Sequence, residues 1–284
     1  MGLQVQLVEV STQGDRDRAT ALATLGGQGV FTREVQAAVL DGRADIAVHS
    51  LKDLPTERTP GLVLAGVPNR APVFDAVIMP AGFGKQSTSG SELLASFPHG
   101  ATIGTGSLRR KAQLLHARPD LNIIENRGNV DTRLRKLDEG QFKAIILAEA
   151  GLRRLGLESR ISGLLQPPVV FPAVGQGAIG IECRDDDGEV RAVLGSITDA
   201  NTMTAVTAER TLLAELRAGC HAPLGVMSTM TGDGMLTLAA VVLSADGQER
   251  IETSAKGRLD AAQLIGHTVA NTLRCLGANR LLCK

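Results

Sequence analysis

Arginine carries most of the chemistry available to this chain. Of its 30 basic residues, 23 are arginine and 7 are lysine. Between positions 109 and 160, nine arginines and three lysines face seven acidic residues. They recur at matching places. Arg109 and Arg110 open a helix after the loop Thr105-Gly106-Ser107, and Arg127 follows a strand in the segment NRGN. Arg133 opens the next helix, and Arg153 and Arg154 lie just beyond the next strand. Successive strand–helix units bring such positions to one edge of a sheet, where ligands of open α/β sheets bind. A guanidinium is a planar fork that pairs with carboxylates and phosphates, and helix N-termini add N–H donors. The pattern points to a small polyanionic ligand. The rival reading is surface arginine paired with Asp120, Glu125, Asp131 and Glu149. No GxxxxGK[ST] loop is present to support a nucleotide.

Asp53 and Cys220 stand apart from the basic residues. Asp53 ends the segment HSLKD, just past a short apolar strand and beside Lys52. A carboxylate at a strand end, facing a cationic cleft, can orient an N–H or move a proton, and neighbouring cations keep it ionised. A plain turn residue is the competing reading. His49 reads as a satisfied, half-buried residue. Cys220 lies in AGCHAPLG, a loop after a helix end, followed by His221. A loop thiol can serve as a nucleophile or a covalent anchor. The small residues Ala218, Gly219 and Ala222 equally suit a conformational role. Cys183 falls in a strand, and Cys275 and Cys283 in or after the last helix. Four widely spaced cysteines and five scattered histidines predict neither a disulfide framework nor a metal site.

Composition narrows the classes. The chain has 284 residues, 30 acidic and 30 basic, for no formal net charge. A nucleic-acid binder shows a basic excess, so no nucleic-acid partner is expected. Trp and Tyr are absent and Phe numbers 6, which leaves few stacking platforms. No apolar run is long enough to span a membrane and no signal-peptide pattern opens the chain, so a cytoplasmic protein is expected.

The elements that must position these residues follow from periodicity. Residues 4–10 read as a strand and 11–29 as a polar, glycine-rich loop. A helix is expected over 31–40, a buried strand over 45–49, and strands over 62–66 and 74–79. After the loop 80–91 comes a short helix from Ser91. A βαβαβ series follows: strands 101–104, 121–125 and 143–151, helices 107–115 and 132–138. That order favours a parallel or mixed sheet covered by helices. A strand over 179–184 and a helix over 202–217, stopped by Gly219, come next. Strands over 236–243 and 249–255 and a helix over 260–276 close a small α+β unit.

Several segments, in order along the whole chain, resemble the hydroxymethylbilane synthase (porphobilinogen deaminase) family. They are GGQGVF (26–31), ADIAVHSLKDLP (44–55), GTGSLRR (104–110), NRGNVDTRL (126–134), AIILAEAGLRRLGLESR (144–160), PAVGQGAIGIECR (172–184) and TAERTLLAELRAGCHAPLG (207–225). The resemblance implies an α/β fold of two lobes with mixed sheets, like those of periplasmic binding proteins, plus a small α+β C-terminal domain. It divides the chain into 1–79 (domain 1), 80–171 (domain 2), 172–198 (return to domain 1) and 199–284 (the C-terminal unit with its linking helix). It implies a dipyrromethane cofactor held by a thioether at Cys220, on which four porphobilinogen molecules condense head to tail with loss of ammonia. Water then releases hydroxymethylbilane. Asp53 takes the place of the catalytic aspartate. Arg109, Arg110, Arg127, Arg133 and Arg154, with Lys52, Thr105 and Ser107, take the places that bind the carboxylates of cofactor and growing chain. A monomer with no metal is implied.

Three departures accompany the resemblance. The family's opening unit, roughly RIGTRxSxLAxxQ, has no counterpart here, and residues 4–10 match its second strand. A strand without its neighbour exposes backbone donors and acceptors, so a loosened domain 1 and an impaired or inactive chain are the alternative expectation. The REDPRD-like turn is NRAPVFD, which keeps Asp75, and Gln28 replaces a lysine. A plain polycarboxylate-binding module is the other alternative.

Overall fold

The computed structural model describes residues 4–10, 32–83, 89–219 and 222–282. The glycine motif at 26–31, Gln28, Cys220, His221 and Cys283 lie outside the described residues. Three sheets organise the rest. The first is β1 (Ile46–Ser50), β8 (Ile179–Arg184) and β2 (Leu62–Gly66), with β8 in the middle and antiparallel to both neighbours. Ile46 pairs with Cys183 and Ser50 with Ile179. Helix α1 (Arg33–Leu40) covers one face by burying Val39 against Ala47 and Leu62. The run 45–49 is not covered on both sides as its apolar sequence suggests, since Val48 is 57% exposed. Residues 4–10 form no strand, and 4–9 are exposed, Leu7 to 92%. Their alternation is a strand pattern that pairs with no strand among the described residues, and pairing is what makes a strand.

The second sheet has five strands in the order β5-β4-β6-β3-β7. They are β3 (Asp75–Ile78), β4 (Thr102–Gly104), β5 (Asn122–Ile124), β6 (Ala144–Ala148) and β7 (Gly163–Leu165). β4 is parallel to β5 and β6, while β3 is antiparallel to β6 and β7, so the sheet is mixed. Residues 75–78, grouped with the first 79 on sequence, therefore hydrogen-bond inside this second sheet. β6 reads AIILA because both its faces are covered. Ile146 joins Leu93 and Leu94 of α2 (Gly90–Ala95) and Leu114 of α3 (Leu108–Ala117) on one side. Ile145 and Leu147 join Leu134 and Leu137 of α4 (Val130–Asp138) and Leu152 of α5 (Glu149–Arg154) on the other.

A helix, α6 (Gly188–Ser196), follows β8, and α7 (Ala200–Glu215) begins on an Asp199 cap whose carboxylate accepts the Thr202 N–H at 2.7 Å. α7 stops earlier than expected. Arg217, at φ 49°, takes the left-handed turn that the sequence reading gives to Gly219. The third sheet is an antiparallel meander of β9 (Leu224–Thr231), β10 (Met235–Leu243) and β11 (Arg250–Arg258). α7 and α8 (Ala262–Cys275) pack on it around Leu212, Leu238 and Val269, and α9 (Asn279–Leu282) ends the described chain. Sequence periodicity missed β7, β9 and α6. Three-residue β7 is too short to show a period, and LGVMSTMT in β9 mixes polar and apolar residues without clean alternation.

Candidate active site

Strand ends bring the basic residues together. A cavity of about 210 Å³ lies where the three sheet units meet. Lys52 and Asp53 reach its wall from the short turn after β1. Ser107, Arg109 and Arg110 come from the start of α3, Asn126 and Arg127 from the turn after β5, and Arg133 from α4. Gln176 enters from the segment before β8, Leu213 from α7, and Gly219 and Leu224 from the C-terminal unit.

Arg109 and Arg110 are nearly enclosed, and one carboxylate holds both. Arg109 donates from one terminal nitrogen to Asp75 Oδ2 at 2.7 Å and to the Phe171 carbonyl at 2.5 Å. Arg110 donates to Asp75 Oδ1 from Nε at 3.0 Å and from a terminal nitrogen at 2.7 Å, and its other terminal nitrogen reaches the Ile146 carbonyl. Burial pushes the Asp75 carboxyl up, but the two guanidiniums outweigh it and hold the group well below the usual carboxylate range. Lys52 is set the other way. Burial pushes its ammonium down, Asp53 draws it back up, and Arg110 and Arg109 add to the downward push. Arg133 is lowered by burial and by Arg110 and Arg127, and its Nε donates to the Gly128 carbonyl at 2.6 Å. As an arginine it stays charged. Arg127 pairs with Glu125 at 2.5 Å.

Five cations in this wall thus face three carboxylates, Asp53, Glu125 and the enclosed Asp75. The surplus suits an anionic ligand, and the low-dielectric surroundings strengthen each contact. The surface-pair reading of the arginines describes part of the set. Arg118, Arg135, Arg153 and Arg160 pair with Asp120, Glu139, Glu149 and Asp138. Arg109, Arg110, Arg127 and Arg133 line the cavity.

Two residues proposed from sequence sit beside the cavity rather than in its wall. Thr105 is buried in the turn, where its hydroxyl accepts the Ser107 N–H at 3.3 Å. Arg154 donates to the Gly177 carbonyl at 2.8 Å. Ser107 is in the wall and also caps α3 through the Arg110 N–H. His49 is buried, its Nε2 3.0 Å from Glu182 Oε2. Sequence reasoning gave no role to Asn126 or Gln176. Both carboxamides are buried, and the two polar atoms of Asn126 and the oxygen of Gln176 have no hydrogen-bond partner among the described residues. Gln176 lies between Gly175 and Gly177, where backbone of 51–52 and of Ala71 approaches closely, and GQG was the available signal; Asn126 had none.

A cation-rich cavity with Asp53 in its wall, lined by turns that follow strands, has the charge to take a small anionic ligand. The comparisons with known proteins give it a family. The family model described as porphobilinogen deaminase, dipyromethane cofactor binding domain, matches residues 1–192, and that of the porphobilinogen deaminase C-terminal domain matches 203–274. The chain is 45% identical to a porphobilinogen deaminase of Gloeobacter violaceus over 99% of its own length and 84% of the relative's. It is 45% identical to that of Nitratidesulfovibrio vulgaris over 100% and 88%. The chain belongs to the porphobilinogen deaminase family. Its activity is the condensation of porphobilinogen on a dipyrromethane cofactor bound to a cysteine, in the making of tetrapyrroles. A substrate-binding domain of an amino acid transporter from Streptococcus pneumoniae overlaps at 14% identity and TM-score 0.36 over 57% of this chain and 68% of that one, too weakly to describe the fold. No helix among the described residues is long and apolar enough to cross a membrane.

Proposed function

We propose that this cavity is where the pyrrole chain grows, that Cys220 carries the dipyrromethane, and that Asp53 is the catalytic carboxylate. The supporting observation is the wall itself. It gathers Lys52, Asp53, Arg109, Arg110, Arg127 and Arg133 around one space, with Gly219 as a lining residue next to Cys220 in the chain. The donor set fits the cofactor. A dipyrromethane bears acetate and propionate groups, and the wall offers guanidinium forks, an ammonium and two under-used amides. When bound, the dipyrromethane supplies the free α-carbon at which the chain is extended. Arg127 and Arg133, at the turn after β5 and on α4, hold carboxylates of incoming units. Arg109 and Arg110, fixed by Asp75, present a rigid positive floor. Thr105 and Arg154 act from behind, by shaping the turn before α3 and the segment at Gly177. Asp53 Oδ holds pyrrole N–H groups and takes or returns the proton at the reacting carbon. The domains follow the division 1–79, 80–171, 172–198 and 199–284, with the strand at 75–78 given to the second lobe, and the chain works as a cytoplasmic monomer.

Mass measurement tests the anchor. Cys220→Ser removes the thiolate nucleophile, so the purified variant carries no cofactor mass and makes no product. Cys183→Ser and Cys275→Ser keep the adduct. An adduct that survives in Cys220→Ser overturns the assignment. Asp53→Asn keeps the shape but loses the proton acceptor. Turnover per loaded enzyme falls by about 100-fold or more, the scale of general acid–base help. Near-normal turnover in a loaded Asp53→Asn protein removes Asp53 from the chemistry.

A further inference from the structure

Two segments carry the chain between the first and second sheets. Residues 67–74 lead from β2 to β3, and residues 166–178 lead back from β7 to β8. Both are gripped by one residue of the C-terminal unit. Glu209 lies on α7 with 1% of its surface exposed. Its Oε1 accepts from Arg70 at 2.7 Å and from the Ser228 hydroxyl at 2.5 Å. Its Oε2 accepts from the other Arg70 nitrogen at 3.0 Å and from the Gly175 N–H at 2.8 Å. Arg70 belongs to the first connection and Gly175 to the second. Arg70 also ties the two directly, since its Nε donates to the Gln176 carbonyl at 2.9 Å.

The Gln176 side chain continues the line toward the cavity. Its Nε2 donates to the Val73 carbonyl at 2.6 Å and to Asp75 Oδ1 at 3.0 Å. Both partners are acceptors, so the amide cannot flip without setting its oxygen against a carbonyl and a carboxylate. The same Asp75 holds Arg109 and Arg110. A continuous set of hydrogen bonds therefore runs from helix α7 through both connections to the arginine floor. Resting on the reading of this cavity as the elongation site, a further consequence follows. Each addition lengthens the ligand by one pyrrole, and the two connections are where the lobes can shift to make room for it. The arginine floor must keep its orientation through that shift.

We propose that Gln176, backed by the Arg70–Glu209 clasp, is a positioning residue for chain growth. It ties the relative placement of the two lobes to the orientation of the Arg109–Arg110 pair. Gln176 meets Arg70 of the first connection through its backbone carbonyl and reaches Asp75, the carboxylate that holds the pair, through its side chain. Its effect falls on the later additions, where the lobes have moved furthest from their starting placement.

The test uses the full chain, with cofactor mass measured first so that rates are expressed per loaded enzyme. Gln176→Met keeps the side-chain length and removes the donors. Arg70→Lys keeps the charge beside Glu209 and removes the fork that reaches the Gln176 carbonyl. For both variants, kcat per loaded enzyme falls about 10-fold, the scale of one charge-assisted hydrogen bond lost at the transition state, while KM stays within about 2-fold. Mass spectra after limited substrate show species with three or four added pyrroles piling up. A residue that merely stabilises the fold lowers the melting temperature and the loaded fraction, and leaves that distribution as in the unaltered chain. An unchanged distribution with unchanged kcat in the loaded variants overturns the proposal. If Gln176→Met does not fold, Arg70→Lys decides alone by the same readout. If the unaltered chain carries no adduct, the cavity reading fails first, and the two failures are told apart.

Discussion

Asp75 shows how much of the cavity wall is held by a residue that lies behind it. Fully enclosed, it neutralises one of two adjacent guanidiniums and leaves the pair with one net positive charge. Asp75→Asn leaves both buried arginines without their counter-ion, and the loss is roughly 3–5 kcal/mol, the cost of breaking a buried pair from one side. Urea unfolding measures it. The pH dependence has a definite sign. The folded carboxyl titrates below its unfolded value of ~4, so its stabilisation is complete above that value and is lost as pH falls through the lower folded pKa. Asp75→Asn therefore flattens the acid side of the stability profile below about pH 4 and is evenly destabilised above it. An unchanged acid limb contradicts this. At this scale the sequence disclosed the charged residues of the wall, because Lys52, Asp53, Arg109, Arg110, Arg127 and Arg133 all follow strand signals, but not the carboxamides Asn126 and Gln176. It did not disclose who holds whom. Asp75 meets Arg109 across 34 positions and Gln176 across 101, and no local pattern encodes such a pairing.

Helix α3 ties the arginine pair to the C-terminal unit. Its first turn carries Arg109 and Arg110, and its last turn meets the β10–β11 turn, where the Gly247 carbonyl lies 2.8 Å from His116 Nδ1. Gly247 is at φ 74°, and a Cβ there meets the Ala112 carbonyl oxygen at 2.5 Å and the His116 nitrogen at 2.6 Å. Both are backbone of a helix and cannot swing aside. Gly247→Ala thus combines a left-handed backbone penalty of about 1 kcal/mol with overpacking of about 1–3 kcal/mol. Gly234→Ala is the control: φ is 75°, but nothing lies within 4 Å of the added carbon, so only the backbone penalty applies. Melting curves separate the two, and hydrogen exchange over residues 108–117 quickens in Gly247→Ala alone. Equal effects in the two variants deny that the turn presses on α3. Sequence reading placed both strands of this hairpin and the turn Ala245-Asp246-Gly247-Gln248, since strand alternation and turn chemistry are local. That the turn lands on α3, far back in the chain, is a tertiary fact. The reverse error at residues 4–10 has the same root: alternation alone signals a strand, but a partner decides whether one forms.

Charge balance over the whole molecule is zero, and that total hides a separation which the run 109–160 already hinted at. Most arginines outside the cavity pair with acids close by, such as Arg258 with Asp260 and Arg135 with Glu139, while the cavity keeps a surplus of cations. A neutral protein with a positive concavity attracts a small polyanion locally and has no long-range pull on large ones, which accords with a pyrrole dicarboxylate and not with nucleic acid. Exposed steering charges are screened within about 10 Å at 0.1 M salt, whereas enclosed contacts such as Asp75 with Arg109 and Arg110 are screened far less. Raising salt should therefore weaken capture of substrate more than it disturbs the assembled site. Between about 0.01 and 0.5 M salt, kcat/KM falls by on the order of 10-fold and kcat changes by less than about 2-fold. Arg127→Gln removes a cation at the partly open rim, so it lowers kcat/KM at low salt and flattens the salt dependence. Arg258→Gln, in the C-terminal unit and 77% exposed, leaves the curve unchanged. A kcat that falls in step with kcat/KM would place the salt-sensitive charges inside the chemical step. The surplus would then act in holding the growing chain rather than in drawing substrate to it.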